Sequence, residues 1–120
     1  MKIERRFTKA NEDAYENVVF TKTTSEIRNP DGTIVFHLAD IDVPKNWSQV
    51  ASDVLAQKYF RKAGVPSATK FVGETDVPRF LSRRVPTAKA EFGGETSAKQ
   101  VFDRLAGAWA YWGWKGGYFT

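Results

Sequence analysis

The sequence predicts a small α+β domain: a β-hairpin, then two main α-helices separated by an irregular connector. Three observations predict it. A run of strand-forming residues turns back on itself at Asn29-Pro30-Asp31-Gly32. Apolar residues recur at helical spacing after Asn46, and again after Thr96. Between those stretches Pro66, Pro78 and Pro86 interrupt any regular pattern.

Each element has a local cause. Residues 1–14 are polar and charged and are expected to be loosely ordered. Val18, Val19, Phe20, Thr21, Thr23 and Thr24 favour a strand, and Thr33-Ile34-Val35-Phe36-His37-Leu38 favours its partner. Proline presets φ in the intervening turn and glycine accepts positive φ, so residues 17–40 read as a hairpin. Asp40-Ile41-Asp42-Val43-Pro44 is expected to leave it, with Pro44 ending the pairing. A helix is predicted over 46–64. Asn46 with Gln49 resembles a capping box, and Trp47, Val50, Ala51, Val54, Leu55 and Tyr59 form an apolar stripe. Lys58, Arg61 and Lys62 suit its carbonyl end, and Gly64 is placed to close it.

Residues 65–92 read as a connector draped over a surface, with one helical turn at Val77-Pro78-Arg79-Phe80-Leu81. The second helix is predicted over 95–113, capped by Thr96 or Ser97. Its apolar face is Ala98, Val101, Phe102, Leu105, Ala108, Trp109 and Trp112, and Gly113, Gly116 and Gly117 end it. Residues 114–120 remain as a junction. The whole, 1–120, reads as one domain.

Composition excludes several chemistries. The 120 residues contain no cysteine, so the chain offers no disulfide, thiolate metal site or thiol nucleophile. His37 is the one histidine, too few for a zinc site, and no nucleophile elbow accompanies it. Asp40 and Asp42 share a strand face but are too few for a hard cation. Gly93-Gly94 before Glu95-Thr96-Ser97-Ala98-Lys99 lacks the spacing of a phosphate loop; a glycine hinge before a capped helix is the better reading. No catalytic or metal-binding residue is assigned. The net charge of +4 comes from dispersed basic residues interleaved with 14 acids, which reads as a mixed solvated surface. No apolar run reaches the ~20 residues of a membrane span, and the N-terminus lacks the apolar stretch of a secretory signal. A cytoplasmic location is the expectation, without a membrane partner.

The C-terminal end is the unusual part. Trp109, Tyr111, Trp112, Trp114, Tyr118 and Phe119 crowd into it. One helix face is expected to bury Trp109 and Trp112 with Val101, Phe102 and Leu105, so that Tyr111 and Trp114 point elsewhere. A small domain cannot cover all of these rings, and such a patch marks an interface. Trp109, Trp112, Trp114, Tyr118 and Phe119 are therefore the candidate partner surface.

Three long blocks carry a resemblance. They are Trp47-Ser48-Gln49-Val50-Ala51 with Ala56-Gln57-Lys58-Tyr59-Phe60-Arg61-Lys62-Ala63-Gly64-Val65-Pro66; Gly93 through Ala106; and Tyr111-Trp112-Gly113-Trp114-Lys115-Gly116-Gly117-Tyr118-Phe119. With Thr24 through Gly32, they resemble the N-terminal domain of bacterial adenosylcobalamin-dependent (class II) ribonucleotide reductases, in order along the whole chain. The resemblance implies an enzyme that makes deoxyribonucleotides from ribonucleotides, with adenosylcobalamin, a thiyl radical and a cysteine pair housed in a ten-stranded α/β barrel. It implies that this segment precedes the barrel and holds none of its catalytic residues. The isolated chain is then expected to be inactive, to bind no adenosylcobalamin alone, and to meet nucleotide substrates and effectors only through the whole enzyme. Its partner is the barrel, either covalently continuous or as a separate subunit; a truncated decoy that docks on an intact reductase shares the same surface. A free-standing nucleic-acid-binding or protein-interaction module is the alternative. Its nucleic-acid form is disfavoured because the aromatics lie on a helix and its tail instead of alternating on a sheet.

Overall fold

A computed structural model describes residues 1–119. Strand β1 (Phe20–Arg28) pairs antiparallel with β2 (Ile34–Pro44). The turn between them closes where the Gly32 amide donates to the Asn29 carbonyl at 2.9 Å. Asp31 Oδ1 accepts from the Thr33 amide at 2.9 Å. Gly32 sits at φ 89°, which a side chain would resist.

The pairing does not stop at residue 40. Phe20 faces Pro44 and Thr23 faces Ile41, so the expected departure at Asp40 is instead a β-bulge. Thr24 opposes both Ala39 and Asp40, and Asp40 takes a left-handed φ of 55°. The bulge matters for the core because it restores Ile41 and Val43 to the buried face of β2. Pro44 is tolerated because it ends the strand, where no further ladder donor is needed.

The first helix is shorter than its apolar pattern suggests. Helix α1 covers Gln49–Val54, followed by one π-helical turn over Leu55–Tyr59. Its cap is Ser48, whose Oγ accepts from the Ala51 amide at 3.1 Å, not Asn46. Gln49 reaches away from the cap, to the Thr24 carbonyl and Asp53. The stripe is also displaced: Val50, Val54 and Tyr59 face solvent, while Ser52, Leu55, Ala56 and Phe60 are buried. The π turn explains the shift. The Phe60 amide bonds the Leu55 carbonyl five residues back, which lines Leu55 up with Phe60 against the hairpin. The chain then runs extended, so Arg61 and Lys62 lie outside the helix, and Gly64 takes its positive φ in a loop.

Residues 65–93 are more ordered than a connector. Strand β3 (Val65–Pro66) pairs with β6 (Phe92–Gly93), and within that loop β4 (Thr69–Phe71) pairs with β5 (Arg84–Pro86). Bonds from Ser67 to Glu91 and from Val72 to Arg83 extend the ladder into one long irregular hairpin. At its tip Arg79–Leu81 form a short 3-10 turn. Proline punctuation hid these strands, which tolerate proline because both are edges.

Helix α2 runs Ala98–Lys115, past Gly113. Its N-terminus has a reciprocal capping box: Ser97 Oγ accepts from the Lys99 amide, and Gln100 Oε1 accepts from the Ser97 amide. The core is the layer between hairpin and helices: Ile41, Val43, Leu55, Ala56, Phe60, Ala98 and Val101, flanked by Phe20, Phe36, Leu38, Trp47, Phe102 and Leu105. The Trp47 and Phe102 rings meet edge to face at 5.8 Å.

That core is small for the chain. The radius of gyration is 17.3 Å, against about 14 Å for a compact domain of this length. The accessible surface is 9284 Å², against about 6,500 Å² for a compact monomer of this mass.

Candidate interface at the C-terminal helix

Helix α2 behaves differently along its length. Over its first turns Ala98 and Val101 are buried and Phe102 and Leu105 are half-buried on the hairpin and α1. Trp109 and Trp112 continue the same stripe at helical spacing. There the hairpin has ended, and they are 64% and 66% exposed. This reverses the expectation that these two rings would be buried with Val101, Phe102 and Leu105.

Tyr111 and Trp114 lie on the other side of the helix and hold the connector hairpin. Tyr111 donates its hydroxyl hydrogen to Glu74 Oε2 at 2.9 Å. The Trp114 indole nitrogen donates to the Asp76 carbonyl. Arg83 pairs with the same Glu74 at 2.9 Å, and the Lys115 amine lies 3.9 Å from it. Burial pushes the Glu74 carboxyl up, but hydrogen bonds from Tyr111 and Arg83 outweigh that and hold it below the usual carboxylate range. The bond to Glu74, with some desolvation, raises the Tyr111 phenol above its ordinary value.

Beyond the helix Tyr118 is exposed and Phe119 half-buried. Phe119 lies across Gly113, where a Cβ would come within 2.5 Å of the ring. The Met1 ammonium donates to the Tyr118 carbonyl at 2.7 Å. So the candidate residues divide. Trp109, Trp112 and Tyr118 present open rings; Trp114, still 42% exposed, also anchors the connector; Phe119 packs on the helix.

The other sequence candidates have ordinary surroundings. His37 is exposed and lies 3.2 Å from Glu26. Asp42 pairs with Lys22 at 2.8 Å, and the bulge sets Asp40 out of register with it. Among the described residues no group of histidine, cysteine, aspartate and glutamate could hold a metal ion. Sequence reasoning missed Glu74 and Glu95. Glu95 is buried, with its carboxylate accepting from the Arg61 amide at 2.7 Å and from Arg104 at 3.2 Å. The available signal was the aromatic cluster itself: a tyrosine and an indole packed on protein need polar partners.

A family model for class II vitamin B12-dependent ribonucleotide reductase matches residues 21–120. The chain belongs to this family. The vitamin B12-dependent ribonucleotide reductase of Agrobacterium fabrum is 62% identical to it, and that of Bradyrhizobium diazoefficiens 59% identical, each over the whole of this chain. The chain spans about 10% of the length of these curated relatives. Class II reductases depend on a corrin cofactor, and a group of that size needs a deep pocket. The hollows between Tyr15 and Lys99 and between Asn17 and Asn46 are open. No chemical step is assigned to the described residues. No helix is long and apolar enough to cross a membrane among the described residues.

Proposed function

We propose that this chain is the N-terminal segment of an adenosylcobalamin-dependent ribonucleotide reductase and braces its catalytic barrel. The longer enzyme would convert ribonucleotides, as ribonucleoside diphosphates, to deoxyribonucleotides for DNA synthesis in the cytoplasm. Nucleotide substrates, nucleotide effectors and adenosylcobalamin would bind that longer enzyme, not this segment alone. The observation that carries the reading is the stripe of α2. It is buried at Ala98 and Val101, half-buried at Phe102 and Leu105, and continues into solvent as Trp109 and Trp112. A second apolar surface is needed to complete it, and the barrel is the surface the family offers. Trp114, Tyr118 and Phe119 would border the contact.

The test uses the Agrobacterium fabrum reductase with its matching segment removed. This chain, added in trans, is expected to bind it and restore turnover, while showing no turnover by itself. Replacing Trp109 and Trp112 together by alanine should weaken binding about a hundredfold or more, since buried tryptophans dominate such interfaces. Unchanged binding would reject the interface assignment. Salt-sensitive retention on single-stranded DNA, with no binding to the reductase, would favour a nucleic-acid module instead.

A further inference from the structure

We infer a second docking surface, on the connector hairpin, that receives carboxylates of the longer reductase; the inference rests on the function proposed above. Phe71 of β4 and Arg84 of β5 are register partners and therefore share one face of the ladder. The Arg84 guanidinium lies 4.7 Å from the centroid of the Phe71 ring, and that of Arg79, from the 3-10 turn, lies 5.5 Å from the same centroid. Two like charges thus share one aromatic ring. Among the described residues no carboxylate forms a salt bridge with either, whereas Arg83 between them is turned to Glu74. Phe80 next to them is 74% exposed.

Contact with the ring orients both guanidiniums and leaves their hydrogen-bond donors free. An incoming carboxylate meets donors that are already positioned, each able to form a two-pronged bond. Arginine beside exposed phenylalanine is also the composition of protein interfaces. The occupant is sought in the longer reductase because about nine-tenths of the relatives' length lies outside this segment. The surface is tied to the helix that carries the tryptophan stripe, since Glu74 and Asp76 bond the same hairpin to Tyr111 and Trp114. A partner that covers Trp109 and Trp112 can therefore reach Arg79 and Arg84 as well.

The experiment measures binding of this chain, and of its R79E/R84E variant, to the Agrobacterium fabrum reductase lacking the matching segment. Both residues are exposed, so the variant is expected to keep its fold, checked by circular dichroism. At about 0.05 M salt the variant should bind at least ~10-fold more weakly, and the gap should shrink to about twofold near 0.5 M, because exposed charge pairs are screened. The W109A/W112A variant should lose affinity at both salt concentrations. If wild type binds and R79E/R84E binds equally well at low salt, the second surface is refuted while the proposed function stands. If wild type does not bind, both fall. If inorganic tripolyphosphate binds the isolated chain tightly and R79E/R84E abolishes that binding, the site is for a free anion and the carboxylate assignment is overturned.

Discussion

Two glutamates decide how the parts hold together. Glu95 joins the end of the π turn to α2 through the Arg61 amide and Arg104, whose other nitrogen also donates to the Tyr59 carbonyl. Its carboxylate is buried, so Glu95→Ala would leave the partly buried Arg61 amide and the half-buried Arg104 guanidinium without their shared partner. The expected loss is about 2–4 kcal/mol of stability, measured by urea unfolding. Glu74 acts through pH. Its folded pKa lies below the ordinary 4.5. The contribution of a depressed carboxyl is fully present above its unfolded pKa and is lost as pH falls through its folded pKa. The connector should therefore stay seated on α2 at neutral pH and loosen only in acid, below the ordinary carboxylate value. The indole N–H resonance of Trp114 would report this by shifting on acidification. A Glu74→Gln variant that shifted in the same way would refute the assignment.

Among the elements, α2 is the one whose start is best determined. Ser97→Ala removes one half of its capping box and should cost about 1 kcal/mol, read from the thermal midpoint. Thr96 and Ser97 were both legible as caps, and the reciprocal bonds between Ser97 and Gln100 select Ser97; the α+β class was legible from the hairpin turn and the helical periodicities. Ser48 was not, since Asn46 with Gln49 offers an equally good local pattern; the choice is made by tertiary contacts that draw Gln49 to Thr24 and Asp53. The ladder between β3 and β6 and between β4 and β5 was hidden because short edge strands need little alternation and accept proline. At the candidate interface, the sequence showed that too many aromatic rings were present but not which were uncovered. Helical spacing puts Trp109 and Trp112 in line with Val101 and Leu105. It carries no information on how far the hairpin reaches, and that length decides their exposure.

At the scale of the whole molecule, the long shape and the large accessible surface accord with the proposal that a second surface covers part of this one. Docking that covers Trp109, Trp112 and their surroundings should give a negative heat-capacity change of about 0.3 kcal/mol/K or more in magnitude, measured by titration calorimetry at several temperatures. A value near zero would mean that little apolar surface is removed from water and that the contact is polar. The two surfaces also divide the labour. In the proposed complex the tryptophans would supply burial, which salt hardly affects, while Arg79 and Arg84 would supply charge, which speeds encounter and fixes orientation.

The π turn at Leu55–Tyr59 has one more consequence. A π turn holds one residue more than an α turn, so it is equivalent to a single-residue insertion inside an otherwise α-helical path. Removing Gln57 would let the backbone close as an ordinary α-helix with its hydrogen bonds intact. An α turn of four residues comes round to the same side as the π turn of five, so Phe60 would still lie over Leu55 and keep its place in the core. The Arg61 amide would stay on the side of Glu95. In a lineage carrying this segment, a one-residue gap at this point is therefore the one that the hairpin face opposite would accept without compensating changes.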